Sequence, residues 1–511
     1  MKSVALHNLG CKVNAYELEA IGQKLQEKGY RIVPFDSEAD IYIVNTCTVT
    51  NIADRKSRQM LHRAKKRNPE AVVVAVGCYV QTGKEKALLD ESIDLAVGNN
   101  RKKELPEILD EFLKKREEGR KGGQAAGPEQ EPGAGKGQAA GTDRQTADRQ
   151  AADAAAEKTL DHRSVADMDR ERDYEEMLPE PEEAVPEKRL PEDHTRAYLK
   201  IQDGCNQFCS YCIIPYARGR VRSRKPENVL REVRLLAAAG CREVVLTGIH
   251  ISSYGMDFIR KTDGDYLAGG SDLRRTAQER QYLLNLVREI AGVEGIERIR
   301  LGSLEPRIIT REFAEGLAAL PQVCPHFHLS LQSGCDATLK RMNRHYTAEE
   351  YYEKVRLLRE IFERPAITTD VIVGFPGETE EEFAATQAFL EKVHFFEMHV
   401  FKYSVRQGTA AAAMPDQVPE QVKNERSARL LELESRMSRQ YREAYIGKEI
   451  TVLTEDCLPL SGKGWRLGHT KTYVKAAFPE ELAGRNELVT GRATGFLTDE
   501  ILRMEPRTES I

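Results

Sequence analysis

Over residues 1 to about 115, short apolar runs alternate with stretches of helical period. SVALHNL reads as a strand, and NAYELEAIGQKLQEKG as a helix that Gly29 ends. IYIVNTC is the next strand, and ADRKSRQMLHRAKKRN is a basic helix stopped before Pro69. AVVVAVGC reads as a buried strand and IDLAVGN as another, and KELPEILDEFLKKREE closes the unit as a helix. This rhythm predicts an open, largely parallel α/β sheet over residues 1–115. From 196 to about 435 the alternation resumes. YLKIQDG, EVVLTGIHI, IERIRLGSL, HFHLSLQS, AITTDVIVGF and FEMHVFKYS read as strands, with helical patterns between most of them. Six such units predict a partial (β/α)6 barrel over 196–435. Gly255 to Gln281 is polar and irregular and reads as a loop insertion, and 423–444 as a helix rich in Arg, Glu and Leu. From Gly447 onward, EITVLTEDC, TYVKAAF, ELVTGRATGFL and ILRMEP read as short strands with Gly-containing turns. They predict a small β-barrel over 440–511, so the fold class is α/β with an appended barrel.

Composition adds a boundary. GRKGGQAAGPEQEPGAGKGQAAGTDRQTADRQ repeats GQAAG and DRQ and has almost no large apolar residues, and LPEPEEAVPEKRLPEDH follows, rich in Pro and Glu. Such a stretch buries too little surface to offset its ordering entropy, so 116–195 is expected to be a disordered linker. The rest of the 511-residue chain, 40% hydrophobic and 31% charged overall, suits a globular protein of several domains. No apolar run reaches the roughly 18 residues of a membrane helix. Met1 to Gly10 lacks the apolar core of a signal peptide, and a cytoplasmic location with no membrane partner is expected. The net charge of −5 does not announce a nucleic-acid binder, so any RNA affinity must come from local patches.

Ten cysteines in such a chain point to metal or catalysis rather than a disulfide framework. Cys205, Cys209 and Cys212 lie in GCNQFCSYC, a C-x3-C-x2-C spacing directly after a predicted strand. Three thiolates this close can wrap one side of an iron–sulfur cube and leave one iron open to a small molecule. Zinc is the rival, but a structural zinc site wants four closed ligands, and no second pair follows at knuckle spacing. Cys11, Cys47 and Cys78 each fall at the carboxyl end of a predicted strand. In an open α/β sheet these ends share the edge where ligands bind, so the three are expected to converge; packing as small apolar residues is the alternative. Cys241, Cys324, Cys335 and Cys457 are scattered; Cys241 reads as packing, and none is assigned a role.

The C-x3-C-x2-C loop after the first barrel strand resembles the signature of the radical S-adenosylmethionine superfamily. LGCKVNAYE, VNTCTVTNIADRKSRQ and VGCYVQ resemble the N-terminal domain of its methylthiotransferase family. The resemblance spans the chain apart from the linker. It implies two [4Fe–4S] clusters, one on each cysteine trio, and S-adenosylmethionine bound at the open iron of the second trio. It implies reductive cleavage to a 5′-deoxyadenosyl radical and installation of a methylthio group. LGCKVN with NTCTVT and DRKSRQ is most similar to the branch acting at C2 of N6-threonylcarbamoyladenosine in tRNA, at position 37. Isopentenyladenosine in tRNA, a ribosomal-protein aspartate, and a non-catalytic RNA-binding iron–sulfur sensor remain the alternatives. tRNA, an external electron donor and a sulfur source are the expected partners, and a monomer is the expected state.

Other candidates sit at strand ends of the barrel, where active sites of such folds form. Thr247 and Gly248 end EVVLTG, Ser330 and Gln332 lie in LSLQSG, and Asp370 and Gly374 in DVIVGF before GFPGET. Ordinary βα turns explain them equally well from sequence; the resemblance favours S-adenosylmethionine contacts. No catalytic acid or base is named. Two basic runs suit phosphate: Arg55, Lys56, Arg58, Arg63, Lys65, Lys66 and Arg67 on a helix, and Arg218, Arg220, Arg222, Arg224 and Lys225 just beyond the cysteine loop. A solvated helix face is the alternative reading. The C-terminal barrel resembles the TRAM domain, which implies RNA binding, although its acidic and basic residues nearly balance. Trp465, Arg466, His469, Lys471 and Tyr473 offer a mixed stacking and phosphate face there, with a structural cap as the competing reading.

Overall fold

The computed structural model describes residues 1–124, 174, 176–177, 195–263 and 281–507. The expected linker at 116–195 therefore lies almost wholly outside the described residues. The chain divides into two compact units. The first holds the N-terminal residues together with Tyr216–Gly219, and the second holds the remainder.

In the first unit, β1 (Ser3–Asn8), β2 (Arg31–Val33), β3 (Ile41–Thr46), β4 (Val72–Gly77) and β5 (Leu95–Val97) form one sheet in the order β2-β1-β3-β4-β5. Every pairing in it is parallel. β3 and β4 are buried along their whole length. A strand covered on both faces reads as a continuous apolar run, which is why these two stood out in the sequence. β2 did not, because three residues carry no period. The helix Lys12–Glu27 starts two residues earlier than its apolar pattern, with Cys11 at its N-cap. The last helix of the unit runs from Leu105 to Gln124, past the end of its predicted pattern.

In the second unit, β6 (Arg196–Asp203), β7 (Arg222–Ser223), β8 (Glu243–Gly248), β9 (Arg298–Leu301), β10 (His326–His328), β11 (Ala366–Val373) and β12 (Glu397–Lys402) form two sheets, β7-β6-β8-β9 and β10-β11-β12. Bridges at Ile299–Val323 and Leu304–Leu329 connect β9 to the segment of β10. Apart from the short antiparallel β7, all pairs are parallel, and the result is the expected partial barrel of six strands. Side chains alternate. Leu199, Ile201, Val244, Leu246, Ile299, Leu301, Phe327, Val371 and Val373 join the apolar core under the helices. The intervening residues, including Lys200, Thr247, Arg300, His328 and Asp370, take the opposite, inner face. Part of the expected loop insertion is a helix, Met256–Asp263, whose Met256 and Ile259 are buried against Val221. Three apolar positions, all in its first turn, are too few to signal it; residues 264–280 lie outside the described residues.

β13 (Glu449–Leu460), β14 (Lys463–His469), β15 (Lys475–Pro479), β16 (Leu488–Thr498) and β17 (Ile501–Pro506) close into a TRAM-like barrel, in the order β13-β14-β15-β17-β16. β14 escaped the sequence reading because KGWRLGH lacks β-branched residues. It is fixed by a two-residue hairpin at Ser461 and Gly462, both at positive φ (52° and 75°), the geometry that suits tight hairpins. This barrel attaches to the first residues of β6, β8 and β9. Glu243 sits 3.1 Å from Arg300 and 3.7 Å from Arg196. Arg298 donates to the His469 carbonyl at 2.6 Å, Arg300 to that of Lys471 at 3.0 Å, and Arg196 to the Tyr473 hydroxyl at 2.7 Å. Among the described residues no helix is long and apolar enough to cross a membrane.

Candidate metal centres and the barrel strand ends

β1, β3 and β4 are neighbours in the sheet, and each is followed within three residues by a cysteine. Cys11 caps the helix after β1, Cys47 follows β3, and Cys78 opens the short helix Cys78–Thr82 after β4. Gly10, at φ 102°, lets the Cys11 turn lie against Cys47: a Cβ there would stand 2.8 Å from the Cys47 sulfur. Burial, with the neighbouring Cys78 and Cys11 adding to it, pushes the Cys47 thiol up to about 11, against the opposing Val49 backbone N–H and Arg218. Cys47 and Cys78 are buried, Cys11 is exposed, and all three are unbridged. The Asn99 amide donates to the Cys78 sulfur at 3.4 Å and to the Ala217 carbonyl at 2.8 Å.

A buried ion network lies beside this trio. Glu17 receives Lys102 at 2.6 Å and Arg218 at 2.8 and 3.1 Å, and Arg218 also donates to the Asn14 side-chain oxygen at 2.6 Å. Asn14 in turn donates to the carbonyls of Leu9 and Thr46, just before Cys11 and Cys47. The side chains of Glu17, Lys102 and Arg218 are 3% exposed or less. Among the described residues, this places one buried anion between two buried cations, beside three thiols that must be anionic to hold a metal.

In the second unit, Cys205, Cys209 and Cys212 follow β6 in one loop. The Gln207 backbone N–H donates to the Cys205 sulfur at 3.4 Å, and the Arg344 guanidinium donates to the Cys209 sulfur at 3.3 Å. Burial holds the Cys212 thiol well above its ordinary range, and the nearby Cys209 and Cys205 add to the effect. The loop is anchored by Ser210, whose N–H and hydroxyl donate to the carbonyls of Met342 and Arg341. Arg344 also donates to the Ser330 carbonyl at 3.2 Å, joining the loop to the end of the β10 segment. Three unbridged, converging thiols with N–H donors aimed at their sulfurs fit an iron–sulfur cube held by three cysteines.

The remaining candidates at strand ends are placed as follows. Thr247 is buried at the end of β8. At Gly248 the space for a Cβ is taken by Gln202 and Ile251, and at Gly374 by Lys423, so both glycines make room for protein side chains. The Gly374 N–H is used by Glu378 at 2.6 Å. Gln332, at φ 73°, gives its N–H to the Asp370 carbonyl at 2.9 Å. The Asp370 carboxylate lies 3.2 Å from His328.

The second basic run does not form a phosphate surface. Arg218, Arg222 and Arg224 are buried. Arg224 pairs with Glu232 at 2.5 Å, Arg222 lies 3.8 Å from Asp203, and Arg220 covers the Phe208 ring at 4.7 Å. Arg218 is engaged by an acid 201 residues away, which no local pattern reveals. On the first-unit helix, Arg63 and Arg67 pair with Asp36, and Lys65 with Asp94, while Arg55, Lys56 and Lys66 are exposed. The expected mixed face of the C-terminal barrel is also turned inward. His469 is buried, Tyr473 lies between the guanidinium groups of Arg196 and Arg300, and Arg466 donates to the carbonyls of Ala483 and Glu455. Sequence reasoning passed over Asn99, Arg344 and the Glu17–Lys102 pair, which carry no motif of their own.

Residues 199–390 match the Radical SAM superfamily, and residues 3–98 match the uncharacterized protein family UPF0004. Fold, cysteine loop and this match define a radical S-adenosylmethionine enzyme. Over 488 residues the chain is 37% identical to the threonylcarbamoyladenosine tRNA methylthiotransferase MtaB of Bacillus subtilis, covering 95% of this chain and 92% of that protein. The protein of the same name from Aquifex aeolicus is 35% identical over 91% of this chain and 97% of its own length. A tRNA-2-methylthio-N(6)-dimethylallyladenosine synthase of Pelotomaculum thermopropionicum is 32% identical over 89% of this chain and 87% of its own length. The chain belongs to the radical S-adenosylmethionine methylthiotransferase family, whose members use S-adenosylmethionine and two [4Fe–4S] clusters.

Proposed function

We propose that this chain transfers a methylthio group to C2 of N6-threonylcarbamoyladenosine at position 37 of tRNA, in the cytoplasm. The observation that carries the reading is the 37% identity over 95% of the chain to a protein of that activity. In this reading Cys205, Cys209 and Cys212 hold one [4Fe–4S] cluster, and Cys11, Cys47 and Cys78 the other. S-adenosylmethionine would be held at the strand ends bearing Thr247, Gly248, Ser330, Gln332 and Gly374, with Asp370, expected beside them from the sequence, deeper in its strand. When bound, the clusters and S-adenosylmethionine supply an electron, the deoxyadenosyl radical, and the methyl and sulfur to be transferred. An external electron donor and a sulfur source complete the set. The protein's own share is placement and electrostatics. Arg344 holds Cys209 and the Ser330 carbonyl in one geometry. Asn99 orients the Cys78 sulfur. The buried cations beside Glu17 offset the negative charge that three thiolates bring into a low-dielectric site. Exposed Arg55, Lys56 and Lys66 remain for tRNA phosphates.

The test is nucleoside mass spectrometry of tRNA from a strain without endogenous methylthiotransferases, with and without this protein. A gain of methylthio on threonylcarbamoyladenosine is the expected result. A gain confined to dimethylallyladenosine would keep the family and overturn the substrate.

A further inference from the structure

Three side chains on the inner face of the partial barrel are claimed by neither cysteine centre. Asp370 of β11 and His399 of β12 are register partners, and His328 of β10 pairs with Thr368, two residues before Asp370. Parallel register and the two-residue period put all three on one face. Their ligand-capable atoms lie within 4.8 Å of one another. His328 is held at both nitrogens, by the Thr368 hydroxyl at 3.1 Å and by Asp370 at 3.2 Å. His399 stacks beside it, with ring centres 5.8 Å apart. It is exposed and makes no hydrogen bond or ion pair among the described residues. The Asp370 side chain keeps 28% of its surface accessible, so the group lines open space.

Its depth is informative. His328 stands two residues before Ser330, whose carbonyl is held by the same guanidinium that donates to the Cys209 sulfur. Two strand residues span about 6.6 Å. A substrate that presents its reacting carbon at the strand ends would therefore extend an attached group to this level.

We propose that His328, Asp370 and His399 form the subsite for the N6 substituent of the target adenosine, and that His399 binds its carboxylate. This rests on the function proposed above and adds the residues that recognise the substrate. The threonylcarbamoyl group offers a carboxylate, a hydroxyl and a ureido N–H. The imidazole N–H of His399 donates to the carboxylate, and Asp370, fixed by His328, accepts from the hydroxyl or the ureido nitrogen. A dimethylallyl group offers none of these. It would strip water from two imidazoles and a carboxylate and return no hydrogen bond, the situation in which a polar site discriminates most strongly.

The experiment uses the reconstituted holoenzyme and synthetic anticodon stem-loops. These carry threonylcarbamoyladenosine, its methyl ester, or dimethylallyladenosine. Methylthio product and 5′-deoxyadenosine are measured for the wild type, His399→Leu and His399→Gln, with bound iron as the folding control. For the wild type, the ester should raise KM about 10–100-fold, the value of one charge-assisted hydrogen bond, with kcat changed little. His399→Leu should raise KM for the acid by the same factor and treat acid and ester alike, and His399→Gln should recover part of the loss. A His399→Leu enzyme that keeps the wild-type preference for acid over ester would overturn the subsite alone. So would a stoichiometric non-cluster metal that disappears with His399, since the triad would then be a cation site. A wild type that acts only on the dimethylallyl stem-loop would overturn the substrate reading itself, and the subsite with it.

Discussion

Glu17→Gln is the perturbation with the clearest expected size. The Glu17 carboxylate lies between Lys102 and Arg218, at 2.6 and 2.8 Å, and none of the three side chains is more than 3% exposed. The neutral amide nearly preserves shape but leaves two cations facing each other without solvent. Removing one partner of a buried ion pair costs about 3–5 kcal/mol. For a unit of roughly 125 residues, each kcal/mol moves the midpoint about 3–4 °C, so the first-unit transition should fall by roughly 10–20 °C. Asn14 joins this network to the turns before Cys11 and Cys47, so the same change should lower the iron held by that trio. The assay is calorimetry of the metal-free protein together with iron content after reconstitution. Glu17→Gln combined with Lys102→Met restores the original net charge of the network and should recover most of the loss. A midpoint shift under about 4 °C, or a double variant no better than the single, would refute the electrostatic account.

Three further outcomes are expected. Cys205→Ala should abolish 5′-deoxyadenosine formation and leave about four of eight irons, whereas Cys47→Ala should lose a similar amount of iron yet still cleave S-adenosylmethionine, as measured by iron assay and chromatography. Arg344→Leu, which removes the donor to Cys209, should weaken cluster retention in the second unit by about 10–100-fold under chelator challenge, and unchanged retention would contradict that role. Burial alone would raise Glu243, but Arg300, Arg196 and Arg298 outweigh it and hold it at about 2, below its ordinary 4.5. Its contribution of about 3 kcal/mol is present above pH 4.5 and lost as pH falls toward 2, so Glu243→Gln should flatten the acid limb of the second unit's stability curve.

What was legible in the chain was local. Buried parallel strands announce themselves as apolar runs, so the partial barrel and the placing of Cys11, Cys47 and Cys78 after strands of one sheet were readable. Short elements were not: β2, β14 and Met256–Asp263 have too few periodic positions to stand out. The arginines after the cysteine loop show the limit most sharply. In sequence, Arg218, Arg222 and Arg224 look like an RNA surface, yet all three are buried. Arg218 meets an acid 201 residues away. A charged side chain gains little in water and much against a desolvated partner, and which partner it meets is set by the packing of elements distant in the chain. The residue pattern by itself determined the long buried strands, the spacing of the cysteines and the family they resemble. Tertiary structure decided which charges are spent inside the protein, which nitrogens reach the sulfurs, and which polar groups line the inner face of the barrel.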